Sequence, residues 1–151
     1  MKKSNPLEIQ ELKEQDILLL KKIEEEQNIS ITSLTTFSQA LHSTNYHYFV
    51  AKYQEEIVGY IGISTVLDTM DILAIVVKKE YQRQNIASSL LSYILSIPNI
   101  HTYLLEVRAS NLPAQKLYEK FHFQKIHVRK KYYPDNLEDA YIYELKKLDE
   151  P

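Results

Sequence analysis

The spacing of apolar residues in the first third of the chain predicts two helices. Residues 12–27 (LKEQDILLLKKIEEEQ) are rich in strong helix formers, lack Gly and Pro, and place apolar side chains at helical spacing. Residues 33–42 form a second, shorter predicted helix, with Ser33 or Thr32 as its N-cap. The chain is therefore expected to begin its ordered part with helical structure.

Beyond residue 45 the pattern changes to aromatic and β-branched runs. These runs predict three strands, two of them joined by a tight hairpin, over residues 46–53, 57–66 and 70–77. The remaining predicted elements are a helix over 86–97 that Pro98 stops, a strand over 101–108, a helix over 112–121 capped by Asn111, and strands over 123–131 and 139–145. This order indicates a mixed α/β arrangement in which helices cover a central sheet.

Composition limits the classes of function. A length of 151 residues predicts one domain, residues 1–151, and a net charge of -2 with a pI near 6.2 argues against a nucleic-acid-binding surface. The chain has no cysteine and no apolar run long enough to span a bilayer, so we expect a cytoplasmic protein with no membrane partner. The five histidines lack metal-binding spacing, so no metal is expected.

A strand, a short loop and a helix follow one another between residues 71 and 97. At the loop, residues 82–87 (QRQNIA) present successive backbone N–H groups at the start of a helix, which favours binding of a pyrophosphate. The position where such loops usually have glycine is Asn85, and Asn tolerates the left-handed conformation. Taken alone, the segment is more typical of an ordinary polar turn before a helix.

Residues 105–123 read LEVRASNLPAQKLYEKFHF. This segment resembles the GCN5-related N-acetyltransferase (GNAT) superfamily, and within it the RimI-type ribosomal-protein alanine N-acetyltransferases, whose pattern is L-E-V-R-x-S-N-x-x-A-x-x-L-Y-x-K-x-G-F. The continuation RKKYY at 129–133 and EDA at 138–140 also matches, so the resemblance covers residues 71–145. Two glycines of the family are replaced, by Asn85 and His122, and both residues are among those that adopt positive φ.

The resemblance implies a GNAT fold, which is a central, mostly antiparallel, twisted sheet of six to seven strands with one splayed pair, flanked by about four helices. It implies acetyl-CoA as the acetyl donor, Glu106 as proton acceptor and Tyr118 as proton donor. The residues that would bind the pantetheine arm and pyrophosphate are Ile75, Val76, Val77, Arg83, Gln84, Asn85, Ile86, Ala87, Ser88 and Asn111. It also places Tyr132 and Tyr133 near the acceptor peptide.

The two catalytic candidates suit acetyl transfer on chemical grounds as well. The reaction needs a base for the amine and an acid for the departing thiolate. Glu106 lies between apolar residues, where partial burial would make the carboxylate a stronger base, and Tyr118 supplies a phenol. The alternatives are a Glu106 that pairs with Arg108 or Lys120, and a Tyr118 that is an ordinary core aromatic.

Two further segments keep alternative interpretations. Tyr132 and Tyr133 could fill sheet positions instead of contacting a peptide, and Glu24 to Glu26 could be the solvated end of the first helix or an acidic rim for a basic peptide. The predicted function is transfer of acetyl to a protein N-terminal α-amine, the alanine of a ribosomal protein. Its alternatives are acetylation of a small amine or lysine side chain, and a non-catalytic acetyl-CoA-binding module.

Overall fold

The computed structural model describes residues 6–29 and 31–147. The strands are β1 (Leu7–Glu11), β2 (Tyr46–Tyr53), β3 (Glu56–Val66), β4 (Thr69–Val77), β5 (Thr102–Arg108), β6 (Gln124–Arg129) and β7 (Ala140–Lys146). The helices are α1 (Ile17–Glu26), α2 (Leu34–Ala40), α3 (Ile86–Leu95) and α4 (Leu112–Lys120), with one-turn 3-10 helices at Glu14–Asp16 and Lys79–Tyr81. None of the helices in these described ranges is long and apolar enough to cross a membrane.

The strands form one mixed sheet in the order β1-β2-β3-β4-β5-β7-β6. The pairs β1 with β2, β2 with β3, β5 with β7 and β6 with β7 are antiparallel, whereas β4 and β5 are parallel. The parallel pairing joins residues 69–72 to residues 102–105 and ends there, although β4 continues to Val77 and β5 to Arg108. The predicted mostly antiparallel sheet with a splayed pair is confirmed.

The predicted helices and strands are present, with shifted ends, and one strand was missed. The first helix begins at Ile17 after a 3-10 turn, and Ser33 caps α2 by accepting a hydrogen bond from the Thr36 amide at 3.0 Å. The missed strand, β1 (LEIQE), has only two apolar residues, so its sequence gives little indication of a strand. Backbone pairing with β2 stabilises its extended conformation. Long-range pairing therefore decides this strand, and local sequence does not.

Contacts divide the described residues into two compact units. The first contains the residues up to 64 together with 74–97, and the second contains 65–73 together with those from 98 onward. The prediction of one domain over residues 1–151 stays a prediction. In the first unit, α1 and α2 pack their apolar residues against those of β2 and β3. The centroid of the Phe37 ring lies 5.0 Å from that of Tyr48 and 5.6 Å from that of Tyr60, and both contacts are edge to face.

The first unit also contains a fully buried carboxylate, Glu24. Its side chain accepts hydrogen bonds from the Lys21 ammonium at 2.8 Å, from the Ile31 amide at 3.1 Å and from the Tyr60 hydroxyl. Burial and the adjacent carboxylate raise the pKa of Tyr60, which keeps its hydroxyl a donor. The prediction that Glu24 lies at a solvated helix end is wrong, because this residue ties the α1–α2 connection to the core; Glu25 and Glu26 are exposed.

We predict that Glu24→Ala lowers the free energy of unfolding by about 3 kcal/mol, because it removes the buried carboxylate that accepts from the Lys21 ammonium, the Ile31 amide and the Tyr60 hydroxyl. The exposed neighbour offers a matched control, and Glu25→Ala should stay within about 0.5 kcal/mol of the parent protein. Urea unfolding followed by circular dichroism measures both variants. Equal stability of the two would show that the carboxylate contributes nothing to the packing of this unit.

Candidate active site

The loop before α3 adopts two left-handed backbone conformations without glycine. Arg83 and Asn85 both have φ of 66°, and Asn85 is the N-cap of α3 without a capping hydrogen bond from its side chain. A left-handed residue that has a side chain costs about 1 kcal/mol, and Asn bears this cost more easily than most. The predicted conformation of Asn85 is confirmed, and so is the positive φ of His122, at 74°.

This loop exposes a run of unbonded backbone amides. Within the described residues, the N–H groups of residues 83–87 donate to no protein acceptor, whereas the Ser89 N–H donates to the Asn85 carbonyl at 3.0 Å. Five consecutive donors lie beside the positive end of the α3 dipole, an arrangement that suits a pyrophosphate. The residues predicted to bind that group are therefore brought together, with Ser88 directly after them in α3.

The last residues of β4 are held by contacts on both sides of the strand. The Lys78 amide donates to the Val58 carbonyl of β3 at 2.7 Å, and the Val77 carbonyl accepts from the side chains of Gln27 and Gln82 at 2.9 and 3.1 Å. Alternate residues of a strand direct their backbone groups to the same neighbour. Val76 therefore directs its N–H and C=O groups toward β3, like Lys78, whereas those of Ile75 and the Val77 N–H point away from β3.

In the second unit, Glu106 lies on the exposed side of β5. Leu105 and Val107 point into the core, and strand alternation turns Glu106 outward with 38% of its side chain exposed. Its carboxylate is 3.6 Å from the Arg129 guanidinium. The carboxylate is therefore partly exposed, and its apolar neighbours Leu105 and Val107 lie on the opposite face of the strand. The alternative pairing with Arg108 is wrong, because Arg108 bonds to other carboxylates.

Tyr118 combines a buried ring with an available hydroxyl. The ring packs against Phe123 at 5.6 Å and Tyr143 at 6.3 Å, and burial raises the pKa of the phenol. No group among the described residues hydrogen bonds to this hydroxyl, yet all their fully buried side-chain oxygen and nitrogen atoms have partners, so the hydroxyl is not enclosed. Tyr118 is thus a core aromatic whose hydroxyl stays protonated and remains free to donate.

Tyr132 and Tyr133 lie in the connection between β6 and β7. The predicted strand over 123–131 extends too far, because β6 stops at Arg129 and Lys131 turns the chain with φ of 50°, whereas the predicted strand over 139–145 agrees with β7 to within one residue. The suggestion that the two tyrosines fill sheet positions is therefore wrong. Their rings meet edge to face at 5.2 Å, Tyr132 is 43% exposed, and the Glu106 charge adds to burial in raising the pKa of Tyr133.

Arg108 and Glu138 hold this connection in place. The Arg108 guanidinium stacks 4.0 Å above the Tyr133 ring and bonds both Asp135 oxygens and one Glu138 oxygen at 3.2 Å. Glu138 also accepts from the Ser110 amide at 2.7 Å, and the hydrogen bonds from Ser110 are the main cause of a pKa lowered to about 2. The sequence marked Arg108, Ser110 and Glu138 only as matching positions, and their mutual contact gives them a structural reason.

Asn111 is the last of the residues predicted to bind the donor. Asn111 caps α4 as predicted, since its Oδ1 accepts from the Ala114 amide at 3.2 Å and its NH2 group remains available. Within residues 6–29 and 31–147 no three His, Asp or Glu side chains are grouped closely enough to hold a metal ion. Arg129 contacts Glu106 across 23 positions of the chain, and the sequence marked it only as a matching position.

The mixed sheet of seven strands and the four helices of the described residues have the architecture of the N-acetyltransferase class. Residues 14–123 match the sequence profile of the Acetyltransferase (GNAT) family, and the chain belongs to this family. Acetyl-CoA is the acetyl donor of that family. The resemblance stated from the sequence is therefore confirmed.

Particular relatives are more specific than the family. The chain is 38% identical over 109 residues to the putative [ribosomal protein bS18]-alanine N-acetyltransferase of Bacillus subtilis, covering 70% of this chain and 72% of that protein. It is 34% identical over 131 residues to the [ribosomal protein bS18]-alanine N-acetyltransferase of Haemophilus ducreyi, covering 83% and 88%. The crystal structure of the ribosomal-protein-S18-alanine N-acetyltransferase from Escherichia coli superimposes with a TM-score of 0.86 at 28% identity, covering 97% of both chains.

The lowered pKa of Glu138 predicts an acid-sensitive contribution to stability. A carboxyl group with a folded pKa of about 2 and an ordinary value of 4.5 stabilises the fold above pH 4.5 and loses this effect as the pH falls toward 2. We expect Glu138→Gln to lower the melting temperature at pH 7 and to approach the parent protein near pH 2. A difference that is constant over this range would mean that the ionised carboxylate is unimportant.

Asn85 gives a prediction about backbone conformation. Asn85→Ala should be about 1 kcal/mol less stable than Asn85→Gly, because alanine is strained at φ of 66° and glycine is not. Asn85→Gly should also keep or strengthen coenzyme A binding, as measured by isothermal titration calorimetry. Weaker binding by the glycine variant would indicate that the Asn85 side chain itself contacts the ligand.

Proposed function

We propose that the chain transfers the acetyl group of acetyl-CoA to the α-amine of a protein that begins with alanine, as the N-terminus of a ribosomal protein does in the relatives named above. The observation that carries the donor half of this proposal is the run of five unbonded amides at residues 83–87 before α3. The acceptor half is supported by relatives at 38% and 34% identity whose names state alanine N-acetylation.

The donor is held mainly by backbone groups. Residues Arg83 to Ser88 bind the pyrophosphate through their amides, and the pantetheine arm lies along Ile75 to Val77. Within that segment, the N–H and C=O groups of Ile75 and the N–H group of Val77 are directed away from β3. These backbone groups would therefore form the hydrogen bonds to the arm. The Asn111 NH2 group, which capping leaves available, adds one side-chain hydrogen bond.

Acetyl-CoA supplies an acetyl thioester, whose carbonyl carbon forms the new C–N bond while its C–S bond breaks. Glu106 accepts the proton that the amine loses, either directly or through water, and its exposed position on β5 leaves room for that water. Tyr118 donates a proton to the departing thiolate, and burial keeps this phenol protonated at neutral pH. An α-amine needs roughly 3 kcal/mol less than a lysine amine for deprotonation, which suits a single carboxylate.

The connection between β6 and β7 supplies contacts for the acceptor peptide. Tyr132 is exposed, and Tyr133 is near enough to Glu106 for its pKa to respond to that charge. Arg108 and Glu138 fix the backbone of this connection, so the two tyrosines present a constant surface. An extended peptide bound there would have its amine held in one orientation. A small flexible amine makes fewer contacts and is oriented less well.

The catalytic roles predict distinct kinetic defects. Glu106→Gln should lower kcat about 100-fold or more and leave the Kd of acetyl-CoA near that of the parent protein, because general base catalysis contributes factors of this size. Tyr118→Phe should slow the reaction similarly while preserving the ring packing. Tyr141→Phe is the control, a tyrosine of β7 outside the proposed chemistry. Parent-like rates in both site variants would remove the assigned roles.

The acceptor assignment is tested by competition between amines. A basic peptide that begins with alanine, the same peptide with a blocked N-terminus, and spermidine are each incubated with enzyme and acetyl-CoA, and products are identified by mass spectrometry. We expect acetylation at the α-amine of the first peptide and at least 10-fold less on the others, since only the first offers both an oriented backbone and the more acidic ammonium. Preference for spermidine or lysine would contradict the acceptor proposal.

A second control separates catalysis from binding alone. Acetyl-CoA should raise the melting temperature of the protein in a concentration-dependent manner, as any ligand of the native state does. Binding without product from any acceptor would contradict an enzymatic role and support a non-catalytic module.

A further inference from the structure

The end of α1 is joined to the start of the loop of free amides by three hydrogen bonds among Gln27, Val77 and Gln82. The Gln27 side-chain nitrogen, Nε2, donates to the Val77 backbone carbonyl at 2.9 Å, and Nε2 of Gln82 donates to the same carbonyl at 3.1 Å. The Gln82 nitrogen also donates to the Gln27 side-chain oxygen at 2.8 Å. The three groups form a closed ring, which we call the glutamine clamp.

The chemistry of the clamp requires a carboxamide at both positions. A carbonyl oxygen only accepts, so Gln27 and Gln82 must both turn their NH2 groups toward Val77. That orientation leaves the Gln27 oxygen facing Gln82, which uses its second hydrogen there. A carboxylate at position 27 would keep the shape but would face the Val77 carbonyl with an acceptor instead of a donor.

The clamp fixes the point where the loop of free amides begins. On the other side of the strand, the Lys78 amide is bonded to Val58, so the peptide between Val77 and Lys78 is held from both sides. Residues 79–81 form a single 3-10 turn, and the Tyr81 hydroxyl donates to Glu56 at 2.9 Å. Gln82 is thus held by its own side chain directly before Arg83.

Arg83 is the residue at which this hold is needed. It has φ of 66°, and Asn85 has the same value, so the loop contains two left-handed residues and no glycine. Conformations of this kind persist where surrounding contacts determine them. The glutamine clamp is the side-chain contact that precedes the first of these residues, and one of its two members, Gln27, comes from a helix that is otherwise distant in sequence.

We propose that Gln27 is a positioning residue for donor binding: through the glutamine clamp it holds Gln82, and thereby keeps the amides of residues 83–87 in the arrangement that receives the pyrophosphate. This inference rests on the proposed function and assigns a role to a residue of α1's C-terminal cap. Gln27 itself does not contact acetyl-CoA. Its effect reaches the ligand only through Gln82 and the Val77 peptide.

The test uses the full chain and coenzyme A as the probe, with Kd measured by isothermal titration calorimetry. Gln27→Ala and Gln27→Glu should each raise the Kd about 10-fold, the size expected when one hydrogen-bonded arrangement is lost. The matched control is Gln39→Ala, an exposed glutamine near the end of α2, which should leave the Kd unchanged. At saturating acetyl-CoA, kcat of the Gln27 variants should equal that of the parent, with the change confined to KM for acetyl-CoA.

A double-variant cycle separates positioning from general destabilisation. Gln82→Ala should raise the Kd about as much as Gln27→Ala, and the double variant should bind about as weakly as either single variant, since all three break the same clamp. Multiplying effects in the double variant would contradict the clamp. So would a parent-like Kd for Gln27→Ala, or a fall in kcat and melting temperature without a selective rise in Kd. If Gln27→Ala does not fold, Gln82→Ala and Gln27→Glu test the same contact.

Coenzyme A binding by the parent protein distinguishes failure of the proposed function from failure of the glutamine clamp. No coenzyme A binding by the parent protein would contradict the proposed function, and with it the clamp's role. Binding by the parent protein together with unchanged binding by the Gln27 variants would contradict only the clamp.

Discussion

Left-handed backbone without glycine is the constraint on which the connections of this structure depend. Nine described residues have positive φ, and none of them is glycine. They occur at the end of α1, at the β2–β3 and β3–β4 turns, before α3, before β5, after α4 and in the connection from β6 to β7: Asn28, Gln54, Leu67, Arg83, Asn85, Asn99, His122, Lys131 and Leu137. Each costs on the order of 1 kcal/mol, and together they rival the net stability of a domain, so neighbouring contacts must hold these turns.

The two functional segments solve this problem in different ways. Before α3, the glutamine clamp precedes Arg83, and uncharged carboxamides leave the following amides free for an anion. Between β6 and β7, charged groups do the holding, because Glu138 accepts from the Ser110 amide and Arg108 covers the Tyr133 ring. A carboxylate near the loop of free amides would compete for those amides and repel a pyrophosphate, whereas the β6–β7 connection only has to present tyrosine side chains.

The sequence predicted those features that local pattern or residue type determines. Asn85 and His122 could be placed at positive φ because Asn and His tolerate it, and Asn111 could be identified as a cap from its position before Leu112 and Pro113. The face of β5 on which Glu106 lies was predictable too, since strand alternation places it opposite Leu105 and Val107.

Other features depend on contacts between residues far apart in the chain. Strand β1 is defined by pairing with β2, and Glu24 is buried because Tyr60 and the Ile31 amide converge on it. The contact of Gln27 with Gln82 spans 55 positions, and no local sequence pattern predicts it. The site therefore divides into catalytic candidates that a sequence pattern identifies and supporting residues that only the folded chain brings together.

Hydrogen exchange of residues 83–87 tests the central claim most directly, because that claim assigns the donor's pyrophosphate to five backbone amides that have no acceptor in the described protein. Amide exchange measured by mass spectrometry with and without saturating coenzyme A should slow strongly in peptides that cover this loop, since the ligand supplies the missing acceptors. Unchanged exchange in this loop, while calorimetry shows that coenzyme A is bound, would contradict the account.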